Sequence, residues 1–147
     1  MPSGYSGKSL VDKLGIKAGF RIAILNAPET FGKTLGPLPP GVRELRATAS
    51  RLDYVHLFST SSLNLRKKLP PLRRIIAEDG MVWVSWPKTS SRLTSDLNEN
   101  VVRSIGLASG MVDVKVCAID EDWSGLKFVI RLKDRRPGRD GAGKTSR

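Results

Sequence analysis

Hydrophobic positions fall into short runs separated by polar turns, and the clearest pair of runs is Tyr54-Val55-His56-Leu57-Phe58-Ser59-Thr60 and Met81-Val82-Trp83-Val84-Ser85-Trp86. Between them lies a basic segment with Leu72, Ile75 and Ile76 at helical spacing. Two strands joined through a helix make a β-α-β unit, whose strands run parallel and connect by a right-handed crossover. Phe20 to Leu25 is apolar on both faces, which is the pattern of a strand covered from both sides and predicts a central position. Leu10, Val11 and Leu14 share one side of a short helix from Ser9 to Leu14 that Gly15 ends.

Pro28 suits the first position of a helix running to Leu35, because its missing N–H would be unpaired there anyway, and Gly36 closes that helix. Pro37, Pro39, Pro40 and Gly41 make a stiff link to a second strand over 42–47. Pro70 and Pro71 fall inside the crossover, and an interior proline costs roughly 3 kcal/mol. The crossover is therefore expected as two helices, over 61–68 and 71–77, with Asp79-Gly80 turning into the Trp83 strand.

Asp96 with Glu99 three residues on reads as an N-cap and carboxylate capping box, with Leu97, Val101, Val102 and Ile105 as the apolar face and Gly110 as the stop. Residues 111–119 and 126–133 then alternate around the turn Asp120-Glu121-Asp122-Trp123-Ser124-Gly125 and predict a hairpin, which forces antiparallel pairing. These elements specify an α/β chain. The expected fold is a Rossmann-like open, mostly parallel sheet of about six strands with a C-terminal antiparallel hairpin and helices on both faces.

The 147 residues and 39% apolar content are ordinary for one domain, assigned to 1–133, with a tail over 134–147. Nowhere do the roughly 18 consecutive apolar residues of a membrane span occur, and the first residues lack a signal-peptide core, so a cytoplasmic protein without membrane attachment is expected. A single cysteine, Cys117, excludes an internal disulfide and a Cys-rich zinc site. The net charge of +11 points toward anionic partners. Seven Lys or Arg stand against two Asp from Arg131 to Arg147, a Gly- and Arg-rich tail expected to be solvated and mobile. Arg66, Lys67, Lys68, Arg73 and Arg74 give the crossover a basic face.

Gly138 to Thr145 matches the phosphate-loop pattern G-x-x-x-x-G-K-[ST], but only Ser146 and Arg147 follow where the motif needs a long helix to align its N–H donors. It is not expected to bind nucleotide. Lys13 to Leu25 resembles the entry to class I methyltransferases, in which a glycine-rich turn after the first strand admits S-adenosylmethionine. Here Asn26-Ala27-Pro28-Glu29 stands in that turn, and no acidic residue replaces the ribose-binding one near the end of the second strand. No cofactor is expected on this ground. The chain is also similar, from Gly4 to about Leu132, to a family of short bacterial proteins catalogued as a domain of unknown function. That resemblance rests on Leu14-Gly15-Ile16, Asn26-Ala27-Pro28, Leu35-Gly36-Pro37-Leu38-Pro39, Trp86-Pro87-Lys88, then Val112, Asp113, Lys115, Val116 and Cys117, and Asp120, Glu121, Trp123, Ser124, Gly125 and Leu126. It implies a Rossmann-like fold and carries no activity with it.

Ligands of open α/β sheets sit beyond the carboxyl ends of the strands. Asn26, Ser59, Thr60, Lys88 and Trp123 are therefore expected around one crevice, Lys88 as a cation, Asn26 and the hydroxyls as orienting groups, and Trp123 as a stacking surface. His56 is expected as a hydrogen-bonded core imidazole, Cys117 as a buried thiol, and Asp113 with Lys115 as a surface ion pair; no metal site is expected. The function these features suggest is a non-catalytic module for a small polar or anionic ligand or a protein partner. Sequence-nonspecific nucleic-acid binding and a degenerate methyltransferase-like enzyme are the alternatives.

Overall fold

The computed structural model describes residues 8–135, and the structural statements below concern those residues. The phosphate-loop-like segment lies outside them, as does the tail beyond Arg135. The elements in order are α1 (Leu10–Leu14), β1 (Arg21–Leu25), α2 (Phe31–Leu35), β2 (Arg43–Glu44), β3 (Leu52–Phe58), α3 (Ser62–Ile75), β4 (Ile76–Pro87), α4 (Glu99–Ala108), β5 (Met111–Ala118) and β6 (Trp123–Ile130). A 3-10 turn, Leu132–Asp134, follows. The strands form one six-stranded sheet in the order β2-β1-β3-β4-β6-β5, parallel from β2 to β4 and antiparallel at β6 and β5.

Two apolar layers cover the sheet. On one face Leu65, Leu69 and Leu72 of α3 and Val102 and Ile105 of α4 pack on Val55, Leu57, Val82 and Val84. On the other, Leu14, Phe31 and Leu35 from α1 and α2 pack with Ile22, Tyr54, Phe58 and Trp83. The Trp83 indole donates Nε1–H to the carbonyl of Leu14 (2.9 Å), which ties α1 to the centre of the sheet.

The largest departure from the expected elements is α3, which runs unbroken through Pro70 and Pro71. Arg66 and Lys67, whose carbonyls the two prolines leave without N–H donors, are exposed, so water can take those places. Leu65, Leu69 and Leu72 lie on the buried stripe, and at about 1.5–3 kcal/mol for each buried leucine this packing offsets the proline cost. β4 likewise starts earlier than expected, because Asp79-Gly80 sits inside the strand, where the pairing with β3 shifts between Leu52 and Tyr54. β2 shrinks to two residues.

At the sheet edge the alternation of β5 breaks at Val114, the extra residue between the Asp113–Phe128 and Lys115–Lys127 pairs, and Val114 and Val116 are about half exposed. The expected Asp113–Lys115 pair does not form. Asp113 instead accepts from Arg103 Nε (2.9 Å), and the Lys115 ammonium donates to the Lys13 carbonyl (2.8 Å). Cys117 is half-buried on this edge strand rather than in the core, and burial raises its pKa. Among the described residues no helix is long and apolar enough to cross a membrane.

Gly106 marks where α4 presses closest on the sheet, since a Cβ there would overlap the Phe128 ring. Helix propensity alone favours Gly106→Ala by about 1 kcal/mol, whereas overpacking costs about 1–3 kcal/mol. The substitution is expected to lower the urea midpoint, and a raised midpoint would show that α4 can lift from Phe128 without loss.

Candidate functional site

Strand order reverses between β1 and β3, because the chain leaves β1 for β2 on one side and returns to β3 on the other. Such a reversal parts the connecting segments and opens a crevice above the strand ends. β1 ends at Leu25, and Asn26 then takes φ +58°, the left-handed conformation that glycine usually supplies and that asparagine best tolerates among the rest. The sharp exit from β1 is thus made without glycine.

β3 ends at Phe58, and Ser59 is held by its N–H on the Ser85 carbonyl (3.0 Å) and by its hydroxyl on the Ser61 carbonyl (3.1 Å). Ser61 caps α3, its Oγ accepting from the Asn64 N–H (3.1 Å). Trp123 opens β6 opposite Pro87, and the Asp120 carboxylate fixes the preceding turn by accepting N–H bonds from Asp122 (2.8 Å) and Trp123 (2.9 Å). Its ring meets Phe58 edge to face at 5.2 Å.

These residues enclose a cleft of about 460 Å³ lined by Asn26, Phe58, Ser59, Thr60, Ser61, Asn64 and Trp123. Four of the residues expected there from sequence, Asn26, Ser59, Thr60 and Trp123, lie on it. Lys88 does not. Its backbone N–H is held by the Asp122 carbonyl (2.8 Å), which pins the loop after β4 to the hairpin turn and leaves the ammonium outside the lining. The cation expected in the crevice is therefore absent, and no charged side chain lines the cleft at all. Ser61 and Asn64 were not expected; both lie in the opening turn of α3, and their position directly after a strand end was the available signal.

Asp96 does not cap α4. Asn98 does, accepting from the Val101 N–H (2.9 Å), while the Asp96 carboxylate accepts from both the backbone N–H and the hydroxyl of Ser62 (2.8 Å each). Those two bonds, the hydroxyl's first, lower its pKa, so a fixed anion already sits at the start of α3 beside the cleft. β2 ends on a carboxylate, Glu44, but that side chain does not line the cleft. The register pairs Glu44 with Ile22, well below Leu25, and Ala47 lies nearer the rim.

Beneath the cleft, His56 bridges β3 and β4. Its Nδ1 shares a hydrogen bond with the Tyr54 hydroxyl (2.7 Å) and its Nε2 another with Ser85 Oγ (2.7 Å). The ring stacks on Phe58 at 4.4 Å and meets Phe31 edge-on at 5.1 Å. Complete burial lowers its pKa to about 3, and burial also raises that of Tyr54, so the whole chain of groups is neutral. Ser85 and His56 stand at the spacing of a nucleophile and its base, but both are fully buried and neither lines the cleft. Their role is to hold the sheet.

No family model matches the chain, and no curated protein matches it. Solved structures do. A SAM-dependent methyltransferase from Aquifex aeolicus superposes with a TM-score of 0.59 at 14% identity, over 89% of this chain and 94% of that one. The precorrin-6y C5,15-methyltransferase from Geobacter metallireducens gives 0.57 at 8% identity, over 83% and 86%. The fibrillarin pre-rRNA processing protein from Methanococcus jannaschii gives 0.57 at 12%, over 88% and 76%. The fold is that of SAM-dependent methyltransferases. This overturns the expectation of a non-catalytic binding module: the similar structures are described chiefly as methyltransferases, which favours the methyltransferase-like alternative.

The neutral imidazole yields a pH prediction. The unfolded chain protonates His56 below about pH 6.5, whereas the folded chain resists until about pH 3. The stability it contributes is complete above pH 6.5 and is lost as pH falls from there toward 3, on the order of 5 kcal/mol over the full window. Urea titrations between pH 4 and 7 should show a steeper decline for the native chain than for His56→Gln. Parallel declines would mean that the imidazole is not kept neutral.

Proposed function

We propose that this chain is a divergent methyltransferase-type enzyme whose cleft takes a sulfonium nucleoside of the S-adenosylmethionine kind. The observation that carries this reading is the uncharged cleft, with hydroxyls, amides and the Trp123 and Phe58 rings, at the strand-order reversal of a methyltransferase-type sheet. In a chain of net charge +11, keeping lysine and arginine away from the lining removes repulsion toward a cationic ligand. The Trp123 ring would attract a sulfonium through its π face, and the amide oxygens of Asn26 and Asn64 and the hydroxyls of Ser59 and Thr60 would take hydrogen bonds from amine and sugar hydroxyl groups. Such a ligand supplies an activated methyl group. The protein's part is to hold it in place and exclude water from that side. Membership in the family of short bacterial proteins, and a cytoplasmic setting that keeps Cys117 reduced, belong to the same proposal.

A second reading, binding of nucleic acid or another polyanion, has one observation in its favour. Because α3 is continuous, exposed Arg66, Lys67, Lys68 and Arg74 lie along a single helix, with about 12 Å of rise from residue 66 to residue 74. Retention on single-stranded RNA that falls steeply with salt and survives removal of residues 136–147 would support it; no retention at low ionic strength would dismiss it.

S-Adenosylmethionine and S-adenosylhomocysteine, each added well above its dissociation constant, are expected to raise the melting temperature by roughly 5–10 °C. Asn64→Ala, at a half-buried lining residue, should melt like the native chain without ligand and lose most of that rise. Absence of any rise with either compound at millimolar concentration would overturn the reading.

A further inference from the structure

On the other side of Asn26 lies a second opening of opposite character. It is a groove of about 470 Å³ whose walls include Leu25 and Leu57 from the sheet and Leu72 and Ile75 from α3, with Lys67 and Lys68 at its mouth. Its origin is local. β2 stops at Glu44, its last ladder bond being from Leu45 N–H to the Ile22 carbonyl, and the chain then turns back over 45–51 directly into β3 without a covering helix. The upper half of β1 is therefore left partly uncovered on the face that α3 packs against, and Leu25 and Ile75 are only partly buried there.

Helical spacing puts the two lysines over this gap, since Lys68 precedes Leu72 by four residues and Ile75 by seven, and Lys67 precedes Pro71 by four. Neither lysine has an ion-pair partner among the described residues, and no carboxylate lines the groove. Lysine stems lie along apolar surface while their ammonium groups stay at its margin, which leaves an apolar slot with two uncompensated cations at one end.

We propose that this groove binds a small organic anion, its apolar body between Leu25, Leu57, Leu72 and Ile75 and its anionic head on Lys67 and Lys68. The complement of an apolar slot under two ammonium groups is an amphiphile with a carboxylate or phosphate head, since a cationic or sugar-like ligand would meet repulsion at one end and an unpaired apolar wall at the other. The site does not rest on the methyl-transfer reading, because the cleft and the groove share only Asn26 and differ in charge.

Isothermal titration of the full chain with decanoate, decyl phosphate, decanol and acetate tests it, all below their aggregation limits. Both decyl anions are expected to bind roughly tenfold or more tightly than decanol, and acetate not to bind measurably. A preference between decanoate and decyl phosphate identifies the head group. Lys67→Gln with Lys68→Gln should weaken both anions by about tenfold, leaving decanol affinity and the ligand-free melting temperature unchanged. Equal affinity for decanol and decanoate, indifference to the lysine substitutions, or NMR shifts centred on Trp123 instead of Leu25 and Leu72 would each overturn the site. A missing response to S-adenosylmethionine would leave these outcomes untouched, so failure of either reading shows separately.

Discussion

An imidazole with no solvent exposure, set between two parallel strands, is tolerable only when both ring nitrogens are satisfied, and His56 meets that condition by bonding Tyr54 on its own strand and Ser85 on the next. The bond to Ser85 fixes the register of β3 against β4 with more specificity than apolar contact alone, because a slip would strand a buried donor or acceptor. The same ring stacks on Phe58, and Phe58 in turn meets Trp123. The floor and one wall of the cleft are thereby connected to the centre of the sheet through rigid aromatic contacts, while the polar groups above them sit on the ends of elements that this packing positions.

Charge is distributed so that two adjoining openings differ in kind. The cleft carries no ionised lining group and has the Asp96 carboxylate beside it at the start of α3; the groove has two lysines and no acid. Asn26 stands at the boundary, in a left-handed conformation that lets the chain leave β1 sharply while its amide remains available to the cleft. The absence of glycine in this turn thus removes a residue type but not the backbone geometry. The two openings thus meet at Asn26, one with an uncharged lining and the other with two lysines.

Both openings also depend on the crossover helix staying whole. Two prolines in its middle would break a solvated helix, yet the three leucines beneath hold α3 against the sheet and keep its first turn, with Ser61 and Asn64, in line with the turns that carry Lys67 and Lys68. Local backbone preference loses here to burial, because the carbonyls released by the prolines lie on the exposed side, where water satisfies them at little cost.

The pattern of apolar runs by itself determined the α/β class, the parallel unit around Tyr54 to Trp86, the C-terminal hairpin and the strand ends where Asn26, Ser59, Thr60 and Trp123 meet, since strand period, turn residues and crossover handedness are local or nearly universal constraints. Tertiary structure alone decided that α3 is continuous, that Asp96 serves α3 and not α4, that Asp113 pairs with Arg103 and not Lys115, and that Lys88 stays out of the cleft. The first depends on burial of the helix's apolar stripe, and the others on partners that a side chain or backbone group finds ten or more residues away. Hydrogen-bond and ion-pair choices of that range are set by the packing of whole elements, which neighbouring letters in a sequence do not encode.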